Sequence, residues 1–354
     1  MTEPRPSTWR PCGDREVRVG LAGLGSMGRN HLRVIAGHPG ARLVALADPV
    51  PDALQAAVDQ TGAQGFAEPL AMIAEADVDA VVIAAPTTAH LPLALAAIER
   101  GIAILVEKPL AGTVAEATRI VDAAHGRGVP VQVGHVERFN PAVIELGRLL
   151  DAGWLSTVYA IASRRAGPFP ARIRDVGVTV DLATHDVDIL SWIAGERPSR
   201  VYAETSQRIH ATHEDLLFGL LHFPSGATGM LDVNWLTPDK RRQLTVIGEE
   251  GMFELDYLTQ RLTFTKLAGV DRPRLIGGYA PTFEGDAAVL PVASAEPLAA
   301  ELDAFLTVVR DGGRPIVNGD DGMWAVAIAN ALLDSAAERT PIDLSQLNAR
   351  PALR

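Results

Sequence analysis

The chain has 354 residues, 47% of them hydrophobic, and a formal net charge of −11. That length is enough for two domains with separate cores, and the acidic balance argues against nucleic acid or an anionic membrane as the main partner. The single cysteine, Cys12, excludes an internal disulfide framework, the first residues lack the apolar core of a secretory signal, and no apolar run reaches membrane-spanning length, so a cytoplasmic protein is expected. Residues 1–15 read as a flexible tail. Val17 to Leu21 is a short apolar run with the look of a buried strand. The turn GLGSMG follows, carrying Gly23, Gly25, Ser26, Met27 and Gly28, and a helical pattern continues through Leu32 and Ile35. Strand, glycine turn and helix in that order form the dinucleotide-binding fingerprint. Gly23 allows the tight turn, Gly25 the approach of a pyrophosphate to the backbone, and Gly28 the close packing of helix on strand. The helix N-terminus offers the pyrophosphate free N–H groups and a partial positive charge. A second strand, ARLVALAD, ends in Asp48, whose carboxylate is expected to accept ribose hydroxyls and repel a 2′-phosphate. Pro49 follows, with no Arg beside it, so NAD is favoured over NADP.

Strands and helices keep alternating beyond Asp48. DALQAAVDQTG reads as a helix ending at Gly62, and VDAVVIAAP as a buried strand. TTAHLPLALAAIERG then reads as a helix capped by Thr87 or Thr88 and closed by Gly101. IAILVEKP is a strand, TVAEATRIVDAAHGRG a helix and VPVQVGH a further strand. Such alternation implies βαβ units and a doubly wound parallel sheet over residues 16–135. From Val136 the character changes. One helix, NPAVIELGRLLDAG, leads into a series of strand-like runs from WLSTVYAIASRR to RLTFTKL. A single helical stretch, DLATHDVDILSWIAG, interrupts them, and a last helix lies near MWAVAIANALLDSAAER. Residues 136–354 therefore read as an α+β domain with a large, mostly antiparallel open sheet. Residues 269–297, rich in Gly, Pro and Ala, read as a surface excursion.

Three places carry candidate chemistry, each beyond the carboxyl end of a strand or on a polar helix face. The loop with Pro86, Thr87 and His90 is either an ordinary strand exit with a threonine cap or a loop lying along the nicotinamide and its ribose. Glu107-Lys108-Pro109 ends a strand. Of 32 basic residues only Lys108, Lys240 and Lys266 are lysines, and a lysine, unlike an arginine, can release a proton. Its bland alternative is a surface lysine. On an α-helix, Asp181, His185, Asp188 and Trp192 fall within about 60° of one another, on a face turned away from the core. Asp181 and His185, at i and i+4, suit an acid–base pair, a solvated polar face or a metal site.

Together these segments resemble the family of glucose–fructose oxidoreductase, inositol 2-dehydrogenase and their relatives. GLGSMG, the PTTAH loop, EKP after a strand and a D-x-x-x-H helix occur in that family's order from Val17 to about Leu344. The resemblance implies a Rossmann domain followed by an α+β domain whose open sheet builds homodimers or homotetramers. It implies Lys108, Asp181 and His185 as the catalytic group and NAD as cofactor, with Ser26, Met27, Pro86, Thr87, His90 and Glu107 near it. No metal is expected. GHVERFNPAV and DVGVTVDLATHDVDIL are similar to the relatives that oxidise nucleotide-linked sugars, such as UDP-N-acetylglucosamine 3-dehydrogenase. Other members carry a glycine cluster before the catalytic Asp, whereas Gly177 stands alone here, which counts against a polyol. Arg164 and Arg165, with Arg172 and Arg174 further on, form either a solvated cluster or a clamp for a substrate diphosphate. Arg138, Asn140 and Asp175 are further candidate sugar contacts. The expected reaction is oxidation or reduction of a secondary sugar hydroxyl, at C3 of a UDP-N-acetyl-hexosamine. An inositol-type dehydrogenase is the alternative, and a non-catalytic NAD-binding regulator or a metal-dependent lyase or hydrolase are those of other classes.

Overall fold

The computed structural model describes residues 9–170, 176–267 and 287–345. In chain order the first elements are β1 (Val17–Ala22), α1 (Ser26–Ala36), β2 (Ala41–Ala47), α2 (Pro51–Thr61), β3 (Gln64–Phe66) and α3 (Pro69–Glu75). Then come β4 (Ala80–Ile83), α4 (Thr87–Glu99), β5 (Ala103–Glu107), α5 (Val114–Arg127) and β6 (Val131–Gly134). A 3-10 turn at Val136–Phe139 leads to α6 (Pro141–Asp151) and β7 (Val158–Pro168). A π-helical turn, Thr179–Ala183, runs directly into α7 (Thr184–Ala194). There follow β8 (Arg200–Ser206), β9 (Leu216–His222), β10 (Thr228–Asn234), β11 (Leu236–Gly248), β12 (Gly251–Asp256), β13 (Arg261–Lys266) and β14 (Ala287–Leu290). The last elements are α8 (Pro297–Asp311), α9 (Gly319–Glu338) and β15 (Ile342–Asp343). Two compact units result, Met1–Phe139 with Glu296–Ala327, and Asn140–Ala295 with Ile328–Arg354.

In the first unit six parallel strands run in the order β3-β2-β1-β4-β5-β6. The order reverses between β1 and β4, the switch point at which a doubly wound sheet opens its ligand crevice. Strand interiors are continuous apolar runs because helices cover both faces. Local signals set the helix ends. Gly62 takes the left-handed conformation after α2, and Thr113 with Glu116 closes a reciprocal capping box on α5. One core helix comes from far along the chain: Leu302, Phe305, Leu306 and Val309 of α8 pack with Val19, Leu21, Ile35 and Leu105.

The N-terminal segment departs from the tail expectation. From Trp9 onward it follows α8, with Cys12 N–H donating to the Val309 carbonyl (3.0 Å) and Gly13 N–H to that of Arg310 (3.0 Å). Trp9 and Cys12 add apolar contact to the same core. Arg15 then donates to Asp79 (2.6 Å), which also accepts from the Arg18 guanidinium (2.9 Å). Burial alone would raise the Asp79 pKa, but the two guanidiniums outweigh it and hold the carboxyl well below its usual range. A depressed folded-state pKa adds stability above the unfolded value, near pH 4, and loses it as pH falls. Acid should therefore weaken the wild type progressively below about pH 5, and Asp79→Asn should flatten that part of the profile. Urea titrations at stepped pH check this; identical slopes for the two proteins would refute it.

Among the described residues, the second unit holds nine strands in the order β14-β13-β12-β11-β7-β10-β9-β8-β15. Only the β7–β10 pair is parallel; the others are antiparallel. Period-two alternation is clean in β9 and β10. Leu217, Leu221, Leu231 and Val233 are buried, while Phe218, Leu220 and Met230 stand exposed on the other face. The expected excursion lies partly outside the described residues, and its end forms β14. Among the described residues, no helix is long and apolar enough to cross a membrane.

Candidate active site

The cofactor cradle is built where β1 ends. Gly23 has φ +98°, and a Cβ there would sit 2.5 Å from the Ala84 carbonyl oxygen, so only glycine makes this turn. A Cβ at Gly28 would run into the Gly23 carbonyl. Gly25 is different: a Cβ would meet nothing within 4 Å. It sits at the N-cap of α1 without a side-chain cap, leaving the orphan N–H groups of that first turn to an outside acceptor. Ser26 and Met27 are exposed beside it. This is space with donors and no protein filling, the fit a pyrophosphate requires. Asp48 accepts from the N–H groups of Leu24 (2.6 Å) and Val50 (2.8 Å). It thus locks both loops at the strand ends, and each carboxylate oxygen keeps a lone pair for a ribose hydroxyl. Gly25→Val should leave the fold intact and raise the NAD Kd on the order of 100-fold. Fluorescence titration with NADH, alongside circular dichroism, measures both; unchanged affinity would exclude the cradle.

The next loop departs from expectation at its cap. Pro86, not a threonine, holds the N-cap of α4, and no side-chain hydrogen bond caps it. Thr87 is half-buried and Thr88 exposed. His90 is buried, with Nε2 2.9 Å from the Ala85 carbonyl oxygen and Nδ1 3.0 Å from that of Pro109. The ring therefore ties the PTTAH loop to the EKP turn. Burial pulls its pKa below the usual histidine range despite those two carbonyls. Both ring nitrogens of His90 are thus placed on carbonyls of the fold.

Glu107 is also turned inward. One carboxylate oxygen lies 2.7 Å from His31 Nε2, and the other accepts from the Lys108 N–H (3.2 Å). Burial alone would raise its pKa, but His31 and Lys108 outweigh it and hold the carboxyl below the ordinary range. Lys108 follows at the carboxyl end of β5, half-buried, and its bond to Pro109 is cis. His31 was missed from sequence; its pairing with a residue 76 positions away leaves no local signal.

In the second unit, Asp181 lies within the π-helical turn and His185 in the first turn of α7. The sequence reading had one uniform α-helix here. The turn instead makes i→i+5 bonds, a distortion that recurs at functional sites. Its entry is fixed by Glu214, which accepts from the Thr179 N–H (3.0 Å) while its own carbonyl takes that of Val178 (3.0 Å). A Cβ at Gly177 would strike the Glu214 carboxylate, so the lone glycine has a steric reason. Asp181 and His185 are half-buried, but the polar face does not extend as expected. Asp188 is buried, and the Trp192 ring packs against Gly147 of α6. The residue that sequence reasoning passed over is Asp186. Wholly buried, it accepts from Ser163 (2.7 Å) and from Arg165 Nε (2.9 Å), pinning α7 to β7.

Of the expected arginine cluster, Arg164 and Arg165 separate. Arg164 and Arg165 are consecutive on a strand and so point to opposite faces. Arg165 lies under α7, whereas Arg164 pairs with Asp232 (3.0 Å) on the exposed face. Asn140 caps α6 through the Ala142 N–H (3.1 Å) and donates to the Tyr257 carbonyl (3.1 Å); its amide is committed to the fold rather than offered to a sugar. Arg138 is buried in the 3-10 turn of the first unit. Arg172, Arg174 and Asp175 lie outside the described residues.

Residues 17–135 match the oxidoreductase family with an NAD-binding Rossmann fold, named Gfo/Idh/MocA, and residues 143–254 match the Gfo/Idh/MocA C-terminal domain. The chain is 30% identical over 352 residues to inositol 2-dehydrogenase 2 of Saccharopolyspora erythraea, covering 95% of this chain and 98% of that one. Its fold is similar to that of the WlbA dehydrogenase of Bordetella pertussis, solved with NADH and UDP-GlcNAcA. That likeness has a TM-score of 0.79 and 25% identity over 94% of this chain and 99% of that one. UDP-N-acetylglucosamine 3-dehydrogenase GnnA of Acidithiobacillus ferrooxidans, at 23% identity and TM-score 0.79 over 91% and 98%, shares the fold. The glycine cradle, the cis EKP turn and the D-x-x-x-H helix thus belong to a chain that is a member of the Gfo/Idh/MocA family of NAD-binding oxidoreductases.

Proposed function

We propose that the protein is an NAD-dependent dehydrogenase of a secondary hydroxyl on a cyclic polyol or sugar. The observation that carries this is a lysine held at the carboxyl end of β5, beside the cradle at the switch point of the same sheet. Bound in that cradle, NAD would supply nicotinamide C4 as acceptor for the hydride of the carbinol carbon. The hydroxyl proton leaves to a base of the chain as the carbonyl forms, so the substrate loses one hydride and one proton. Lys108 of the first unit and His185 of the second, oriented by Asp181, are the proposed acid–base groups. Glu107 and His90 hold the peptide on either side of Lys108 from within the fold.

For the substrate, the inositol-type reading gains over the nucleotide-sugar one. A relative matched over nearly its full length is an inositol 2-dehydrogenase, and Arg164 pairs with Asp232 on the strand face opposite Arg165, which counts against its place in a diphosphate clamp. The similarity to WlbA keeps a UDP-N-acetyl-hexosamine, oxidised at C3, as the second reading. Absorbance at the NADH band, with NAD and either myo-inositol or UDP-N-acetylglucosamine, separates the two. NADH from inositol alone supports the first reading, and from the nucleotide sugar alone the second. NAD affinity with silence across a broad sugar panel would replace both with a regulator.

A second copy of the chain is the proposed partner. Leu220 and Met230 stand cross-strand from each other, half exposed, with Phe218 beside them. An apolar band of this kind on an open sheet is typical of an association surface. Leu220→Lys should shift the sedimentation coefficient toward the monomer; a wild type that already sediments as a monomer would sink the proposal.

A further inference from the structure

Beneath Lys108 the first unit encloses three titratable side chains from three distant parts of the chain. His31 of α1 and Glu301 of α8 are fully buried, and Glu107 of β5 nearly so. Their ligand atoms all lie within 4.8 Å of one another. Glu107 has partners for a negative charge, His31 on one oxygen and the Lys108 N–H on the other. Glu301 has none: neither carboxylate oxygen finds a hydrogen-bond partner among the described residues. Its backbone is fixed all the same, since Gln132 Nε2 donates to the Glu301 carbonyl (2.9 Å). On the far side Gly134 closes the site, where a Cβ would come within 3.0 Å of the Glu107 carboxylate.

Two carboxylates this close, both buried, do not both ionise. The charge resides where the donors are. We propose that His31, Glu107 and Glu301 form a proton-loaded positioning site for Lys108, in which Glu301 holds a proton, Glu107 carries the charge, and that charge fixes the Lys108 peptide. Burial, with the Glu107 charge beside it, pushes Glu301 well above the ordinary carboxyl range, in keeping with this division. The titratable groups facing the site are His31 from α1, His90 from α4, Glu107 and Lys108 from β5 and its turn, and Glu301 from α8. Gln132 from β6 is uncharged. The sequence separation hides the arrangement: His31 follows the glycine turn, and Glu301 belongs to a helix that returns after residues 140–295 of the second unit.

The role rests on Lys108 being the catalytic lysine, and its test does not depend on turnover. Only three lysines are present, so an amine-reactive reagent with peptide mass spectrometry reads Lys108 against Lys240 and Lys266 in one sample. Infrared spectroscopy of the intact protein at neutral pH should show a protonated-carboxyl band that Glu301→Gln removes. At neutral pH, Lys108 labelling should be native in Glu301→Gln, whose amide mimics the neutral acid. In His31→Gln its rate at fixed pH should change roughly tenfold, with Lys240 and Lys266 unmoved. Raising the pH until the band vanishes should perturb Lys108 in the wild type and not in Glu301→Gln. The proposal is overturned by absence of the band, by a stoichiometric metal that leaves with Glu301→Gln, or by Lys108 labelling indifferent to His31. Full turnover by a Lys108 variant would instead sink the catalytic assignment and leave the labelling result standing.

Discussion

Alanine at Lys108 is expected to lower kcat by about 10²–10⁴-fold, the range of a lost acid–base group, while NAD affinity stays close to that of the wild type. The separation follows from where the residues lie. The cradle of Gly23, Gly25 and Gly28 and the carboxylate of Asp48 form without Lys108. The backbone N–H that Glu107 holds is present whatever the side chain at 108. Truncation therefore removes the amine and little else. Lys108→Arg supplies the sharper comparison. It preserves the positive charge, so a purely electrostatic role would be rescued; a role in proton exchange would not, because guanidinium does not release its proton near neutral pH. Single-turnover formation of NADH, paired with NADH fluorescence titration, distinguishes the two. Turnover preserved in the alanine variant would remove Lys108 from the chemistry.

The first unit was legible because its signals are local. The glycine turn, the acid ending β2, and the caps at Gly62 and Thr113 each act over a few residues, and alternating periods give the doubly wound sheet. The short β3 and α3 carry too few residues for a periodic pattern. α8 carries enough, but its pattern says nothing of the sheet it joins. That is decided by tertiary packing of Phe305 and its neighbours against β1. The candidate site shows the same split. Lys108, Asp181 and His185 stand out by residue type and spacing, whereas the residues that hold them are long-range partners: His31 for Glu107, Glu214 for the entry to the π-helical turn, Arg165 for Asp186. Arg164 and Arg165 separate because adjacency in sequence is opposition on a strand. Helical-wheel arithmetic misplaced Asp188 and Trp192 because it treats solvent as the default environment of a polar face. Here Trp192 packs against α6 and Asp188 is buried.

Asp186→Ala should bring the largest loss of stability of any single change near the candidate site, about 3–5 kcal/mol, because it leaves the Arg165 guanidinium buried without its counter-charge. Both side chains are almost wholly enclosed, at 0% and 5% exposure, so water does not compensate. The same aspartate accepts from Ser163, and the loss extends to that hydroxyl. Asp186→Asn retains an acceptor and should cost less. The informative partner is the double variant Arg165→Met with Asp186→Leu. Replacing a buried ion pair by apolar side chains of similar volume is often neutral or stabilising, so the double variant should recover much of the lost stability. Function should not recover with it. Asp186 is the residue next to His185 and anchors the first turn of α7 to β7, and an apolar contact holds that turn with less directional precision than a charge pair in which Arg165 Nε bridges both carboxylate oxygens. Urea unfolding followed by a probe in the second unit, with kcat/KM on the same samples, measures both. A single variant as stable as the wild type would show that the pair contributes nothing net. A double variant restored in both stability and rate would show that Asp186 serves the fold alone, and that His185 needs no more than a well-packed helix beneath it.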